Sequence, residues 1–245
     1  MLALPEYLSS KHIPNRESFR YISKPAVYLK YIFLFFISNI LFISSAWSQT
    51  DAYLKTITDR AVKIVNTLSV KDSSIYNNTV QALVNQYSAL NKIQEDNKAA
   101  ADIVKKEALA AEETAARLKS TEEKKLASLQ QLHTRFISQL QQLLSPEQVD
   151  LVKDGMTYRV FPITYAAYQD MIPALTEAQK TKIYDWLKEA REIAMDAESS
   201  DKKHAVFGKY KGRINNYLSA QGYDLKKATD EWQQRIKERN KTSQS

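Results

Sequence analysis

The sequence of 245 residues is poor in the residues that make turns. It contains 4 glycines and 6 prolines, where average usage gives roughly 17 and 12. No glycine or proline occurs between Pro25 and Pro146. β-Sandwiches, barrels and doubly wound α/β domains need frequent tight turns, which depend on these two residue types. The scarcity therefore argues against sheet-rich folds and predicts an all-α fold, a helical bundle.

Cysteine is absent altogether, so no disulfide framework supports the fold and no lipid anchor follows an export signal. Residues 1–48 are typical of such a signal with an extended N-terminal region. The apolar run Tyr31–Ile43 is shorter than the roughly 20 residues of a membrane span. Small residues then place cleavage before Gln49. We expect an exported protein, periplasmic or extracellular, with no stable membrane span after cleavage; an uncleaved signal anchor is the alternative.

The residues of common catalytic and metal sites are also scarce. Of the 3 histidines, only His133 and His204 follow the export signal, and neither has a metal-ligand spacing. His133 lies beside the apolar stripe of a helix, where a structural or exposed position is expected. There is no phosphate-binding loop, dinucleotide fingerprint or nucleophile elbow. We therefore predict no metal and no cofactor, and find no catalytic motif. The net charge of +7 falls to +4 after the export signal, with 30 Lys and Arg against 26 Asp and Glu, which is too small and too dispersed to predict a nucleic-acid partner.

Apolar residues recur at helical spacing along most of the remaining chain. We expect a single helical domain over residues 49–240, followed by a frayed tail at 241–245. Between about 95 and 125 the composition changes to alanine, glutamate and lysine, and the apolar stripe becomes thin. This segment predicts a helical arm or hairpin that protrudes from the body. The stripe strengthens again from Leu126 to Leu143, which is suited to packing on a partner helix.

Two capping boxes predict helix starts in the C-terminal half. Ser145 pairs with Gln148, with proline at the first helical position, and Thr176 pairs with Gln179. Between them we expect a short irregular segment at 155–163 and then a helix from Thr164. A later helix is expected to end at Gly222 in a left-handed conformation.

Two stretches form a candidate ligand-binding surface: Lys153–Asp170, which is rich in tyrosine, and Asp201–Tyr223, which holds a basic helix. Tyrosine faces stack on sugar rings, while lysine and arginine pair with uronate carboxylates. The candidate ligand-binding residues are Tyr158, Tyr165, Tyr168, Lys209, Lys211, Arg213 and Asn216. Gly208 and Gly212 lie one turn apart in the helix, where glycine costs nearly 1 kcal/mol relative to alanine. They predict close approach of a neighbouring helix or of the tyrosine-rich stretch or, as the second interpretation, of a ligand.

Asp154 and His204 are the candidate catalytic residues of an enzyme alternative, as acid or base. Asp154 is expected at a helix C-terminus, where a negative charge is unfavourable. It therefore needs either a functional role or an ion pair with Lys153 or with an arginine elsewhere.

Several segments together resemble the secreted bacterial family called domain-of-unknown-function family 3826. They are Asp154–Tyr158, Leu175–Lys180, Ala190–Glu192, Ala194–Ala197 and Gly208–Leu218. The resemblance implies an exported helical protein of Bacteroidetes in a setting of plant-polysaccharide breakdown, and it supplies no catalytic residues. The two Leu-Ser/Thr-x-x-Gln segments are also similar to the repeated motif of a periplasmic chaperone and metal-stress family, although the rest of the chain does not follow that family.

These observations favour an exported, non-catalytic accessory protein that binds a glycan or acidic oligosaccharide in polysaccharide utilisation. The first alternative is a polysaccharide lyase or hydrolase of unrecognised type. The second is a periplasmic chaperone-like protein that uses the arm as a cradle for its clients.

Overall fold

Eight α-helices account for most of residues 51–107 and 109–242, the part of the chain that the computed structural model describes. The first, α1, covers residues 51–65 and continues as a 3-10 turn, Asn66–Leu68. The others are α2 Ser73–Lys106, α3 Ala111–Leu143, α4 Pro146–Met156, α5 Val160–Met171, α6 Glu177–Met195, α7 Ser200–Ala220 and α8 Leu225–Thr242. Within these residues there is no strand, so the all-α prediction is confirmed.

The predicted export signal at residues 1–48 lies outside the described residues. Among the helices that the structure does describe, none is long and apolar enough to cross a membrane.

The arm is a hairpin of two long helices. α2 and α3 pack along each other and are joined by residues 107–110, so they run antiparallel. At about 1.5 Å per residue, each helix is about 50 Å long. Only its base belongs to the core, where Leu83 of α2 and Phe136 and Leu140 of α3 are buried with Val65 of α1. The outer half is mostly exposed, as the thin apolar stripe predicted.

Both predicted capping boxes are present. The Gln148 and Gln179 backbone N–H groups donate to Ser145 Oγ and Thr176 Oγ1. In return, the glutamine side chains accept from the backbone N–H groups of the two capping residues. The starts of α4 and α6 are therefore set by local sequence alone.

The irregular segment between these helices is shorter than the predicted 155–163. α4 continues to Met156 and α5 begins at Val160, rather than at Thr164. Tyr158 and Arg159 both have left-handed backbone angles, with φ of 58° and 56°, which turns the chain within three residues. α1 passes close to Gly155 in the last turn of α4: an added Cβ there would lie 2.8 Å from Ile64 Cγ1, so a larger residue would have to displace the Ile64 side chain.

Helix α6 is the centre of the C-terminal body. α5 and α7 both pack against it, and short connections make each of them antiparallel to α6. α5 and α7 therefore run in the same direction. α8 packs against α5 and α7. Asp170 of α5 helps to hold it there, because its carboxylate accepts from Trp232 Nε1 at 2.7 Å and from Arg239 Nη2 at 2.6 Å.

Candidate functional site

One cavity in the described residues is a groove of about 870 Å³ between the arm and the ends of α6 and α7. We call it the arm groove. Leu126 and Leu129 form its α3 wall, and Ile193 lies opposite them on α6. Lys202 and Lys209 line the α7 side. Among its lining residues only His133 carries a ring, and no tyrosine, tryptophan or phenylalanine is present to stack on a sugar.

Charged side chains at the floor of the arm groove are paired with each other. His133 Nδ1 lies 2.9 Å from Asp196 Oδ2, and its Nε2 lies 3.5 Å from Glu192 Oε2. Lys153 Nζ donates to the same Glu192 oxygen at 2.9 Å. Hydrogen bonds to Asp196 and Glu192 raise the pKa of His133 to about 9. These contacts connect the arm to α4 and α6, so we interpret His133 as structural.

Glu192 experiences two opposing effects. Burial raises its pKa, but hydrogen bonds from His133 and Lys153 outweigh burial and bring the pKa to about 2. Nearby, Lys203 Nζ donates to the carbonyl oxygens of Ala194 and Met195 at 2.8 Å each. A cation there satisfies carbonyls at the C-terminal end of α6. Burial lowers the pKa of Lys203 to about 8.

The His133 network predicts a pH-dependent contribution to stability. The pKa of His133 rises from 6.5 to about 9 on folding, so its contribution is complete below pH 6.5 and is lost as pH rises through about 9. The ionised Glu192 stabilises the folded protein above pH 4.5, and this stabilisation is lost as pH falls through about 2. Replacing His133 by glutamine should therefore cost on the order of 2 kcal/mol at pH 5–6, and much less at pH 10.

Urea denaturation of both proteins at intervals from pH 5 to pH 10 measures this difference. Lys203 titrates in the same range, but it is present in both proteins, so the difference between them isolates His133. If the difference in unfolding free energy between the two proteins is the same at every pH, the carboxylates of Asp196 and Glu192 do not raise the pKa of His133.

Asp154, a candidate catalytic residue of the enzyme alternative, is part of a second charged cluster. Its carboxylate accepts from Arg191 Nη1 at 2.8 Å, and Arg191 Nη2 donates to Asp150 at 2.7 Å. The Arg191 guanidinium also lies 5.1 Å from the centre of the Phe161 ring. Burial raises the pKa of Asp154, with Arg191 acting in the opposite direction. The compensating cation predicted for Asp154 is therefore Arg191, which comes from α6.

A second cavity, of about 210 Å³, lies between α5, α7 and α8, and we call it the three-helix pocket. Its lining residues are Thr164, Ala167, Tyr168, Met171, Lys211, Asn215, Leu225, Thr229 and Trp232. The Tyr168 hydroxyl donates to Asn215 Oδ1 at 2.7 Å. Because burial raises the pKa of Tyr168 to about 12, this hydroxyl stays protonated, and the bond orients the Asn215 amide.

The structure distributes the seven predicted ligand-binding residues over several places. Tyr168 and Lys211 line the three-helix pocket, whereas Lys209 lines the arm groove. Tyr165 packs edge-on against Tyr184, with ring centres 5.4 Å apart. Tyr158 stacks on His204, the second candidate catalytic residue, with ring centres 5.6 Å apart. Arg213 lies 4.4 Å from the centre of the Trp186 ring. Asn216 is exposed on α7.

Sequence reasoning missed Asn215 and Trp232 as pocket residues. Asn215 lies one turn beyond Lys211, so its spacing was a usable signal. Trp232 carries no such signal, because nothing local in the sequence shows that α8 folds back over α5.

The favoured prediction that Gly208 and Gly212 allow a helix to approach closely is wrong. An added Cβ at either position would meet no atom within 4 Å, so both glycines face open space. The close helix approach occurs instead at Gly155.

In the described residues, no group of three His, Asp or Glu side chains is arranged to hold a metal ion. The fold and its cavities define an all-α protein with a small pocket of mixed polar and apolar lining between three helices. A family model described as "Protein of unknown function (DUF3826)" matches residues 54–238, and the chain belongs to this family. A search of curated proteins gave no match.

Proposed function

We propose that this protein is a non-catalytic accessory protein that binds an acidic sugar, one ring of which occupies the three-helix pocket. The observation that carries the proposal is the convergence of Tyr168, Lys211, Asn215 and Trp232 on one cavity. Small-molecule sites combine apolar and aromatic walls with a few convergent polar groups in this way.

Each polar group of the pocket matches a feature of a uronic acid. The Lys211 ammonium pairs with the carboxylate, and no ion pair within the described residues occupies it. Asn215 Oδ1 already accepts from the Tyr168 hydroxyl, so the Asn215 Nδ2 group is left to donate to sugar hydroxyls. The Trp232 ring gives an apolar face. At about 210 Å³, the pocket is smaller than the roughly 300–1,000 Å³ of sites for drug-sized ligands, which favours a single ring.

The proposed setting is export and polysaccharide utilisation in Bacteroidetes. It rests on the signal predicted in residues 1–48 and on the resemblance between the C-terminal segments and their family. The lyase or hydrolase alternative relied on Asp154 and His204. Asp154 lies outside the three-helix pocket and is paired with Arg191, so we favour binding without turnover.

Replacing Lys211 by methionine tests the pocket. We expect the variant to bind galacturonate at least tenfold more weakly than the unaltered protein, because it loses the charge-assisted contact to the carboxylate. Titration calorimetry with galacturonate and with neutral galactose measures the effect. Galactose should bind the unaltered protein more weakly than galacturonate, and should be little affected by the substitution.

The matched control is Lys209→Met on the same helix, since Lys209 lines the arm groove instead of the pocket. This variant should bind galacturonate like the unaltered protein. If neither galacturonate nor glucuronate binds the unaltered protein, or if Lys211→Met binds them equally well, the proposed function is wrong.

A further inference from the structure

We infer that the ligand is an oligosaccharide of acidic sugars, which extends from the three-helix pocket along α7 to the stacked rings of Tyr158 and His204. This inference rests on the proposed function and adds the length and path of the ligand. Three features of the structure support it. One face of α7 carries both the pocket and the stacked rings of Tyr158 and His204, which we call the ring pair. In addition, α5 runs in the same direction as α7, and the ring pair is exposed.

The pocket and the ring pair lie on the same side of α7. His204, Gly208, Lys211 and Asn215 follow one another at spacings of four, three and four residues, which places them on one helical stripe. From His204 to Lys211 the helix rises about 10 Å, so a single ring in the pocket does not reach the ring pair, whereas a chain of about three rings does.

Helix α5 follows the same path, because it is parallel to α7. Tyr158, just before α5, meets His204 near the start of α7. Tyr168, near the end of α5, donates to Asn215 further along α7. The side chains of α5 that line the pocket between these points, Thr164 and Ala167, are small. A ligand that leaves the pocket between α5 and α7 is therefore led towards the ring pair.

The two side chains of the ring pair are exposed to solvent. Tyr158 is 46% exposed and His204 is also exposed. Their ring planes differ by only 11°. Tyr158 is held there by a left-handed backbone conformation, which is uncommon for a residue with a large side chain. An exposed aromatic face is the kind of surface that the C–H face of a sugar ring covers.

Gly208 lies between the two ends of this path. An added Cβ would meet no atom within 4 Å, so packing against another helix does not explain a glycine that weakens the helix interior. The proposed path explains it, because the absence of a side chain leaves the surface of α7 flat between the pocket and the ring pair.

Titration calorimetry with galacturonate and its di-, tri- and tetrasaccharides tests the inference. For the unaltered protein we expect the affinity to rise at least tenfold from the monosaccharide to the trisaccharide and then to level off. Tyr158→Asn, which keeps a residue that tolerates the left-handed conformation, and His204→Ala should each lose most of this gain. Both should bind the monosaccharide normally.

A bulky side chain at Gly208 gives an independent test. Gly208→Leu should bind the monosaccharide normally and the trisaccharide at least tenfold more weakly than the unaltered protein does. The matched control is Ala205→Leu, an exposed position on α7 that lines the arm groove.

The outcomes separate this inference from the proposed function. An affinity that does not change with chain length, or a gain that survives Tyr158→Asn, His204→Ala and Gly208→Leu, would overturn the inference and leave the proposed function standing. Failure of the unaltered protein to bind any uronate, the monosaccharide included, would overturn both.

Discussion

Replacing Arg191 by methionine is expected to lower the free energy of unfolding by about 3–5 kcal/mol. The Arg191 side chain is 1% exposed, yet it carries a charge that three carboxylates neutralise at distances of 2.7 to 3.4 Å. Its removal leaves Asp154, whose side chain is only 14% exposed, without the cation that offsets its burial. Methionine fills most of the volume, so the loss reflects the unpaired charge. Urea denaturation at neutral pH measures it.

Two further variants separate charge from packing. Arg213→Met removes an arginine from a largely exposed pair, 3.7 Å from Glu189, and should cost less than about 1 kcal/mol. Asp154→Asn in the Arg191→Met background removes the stranded charge and should restore part of the lost stability. If the double variant is no more stable than Arg191→Met alone, the loss does not come from the unpaired carboxylate.

Local signals in the sequence predicted the helix starts well. Ser145 and Thr176 begin α4 and α6 because a capping box needs only four consecutive residues. The end of α7 followed similarly from Gly222, which has φ of 93°. The start of α5 was not predictable in this way. The turn before it uses the left-handed conformations of Tyr158 and Arg159, and neither residue type indicates a turn.

The candidate site was predicted only in part, for a geometric reason. Successive residues of a helix point in different directions, so a basic cluster in sequence is not a cluster in space. Lys209 and Lys211 are two residues apart, yet they line the arm groove and the three-helix pocket, respectively. The pocket also needs Trp232, which reaches it because α8 folds back onto α5, where Asp170 accepts from Trp232 Nε1. No pattern within α5 or α8 alone predicts that pairing.

The apolar stripe of α3 shows the same limit and gives the second large prediction. Leu126 and Leu140 belong to one stripe in the sequence, but Leu140 is fully buried at the base of the arm and Leu126 is 56% exposed beside the arm groove. Periodicity predicts which face of a helix is apolar, whereas the length of the neighbouring elements decides how much of that face is covered. Leu140→Ala should therefore lower the free energy of unfolding by about 3–4 kcal/mol, through lost burial and a residual cavity.

Leu126→Ala is the matched control, because the same atoms are removed from the same helix. It should change the free energy of unfolding by no more than about 0.5 kcal/mol in urea denaturation of the dilute protein. A loss as large as that of Leu140→Ala would contradict the exposure of the outer arm. Repeating the denaturation at several protein concentrations would then show whether a second copy covers Leu126, since unfolding coupled to dissociation depends on concentration.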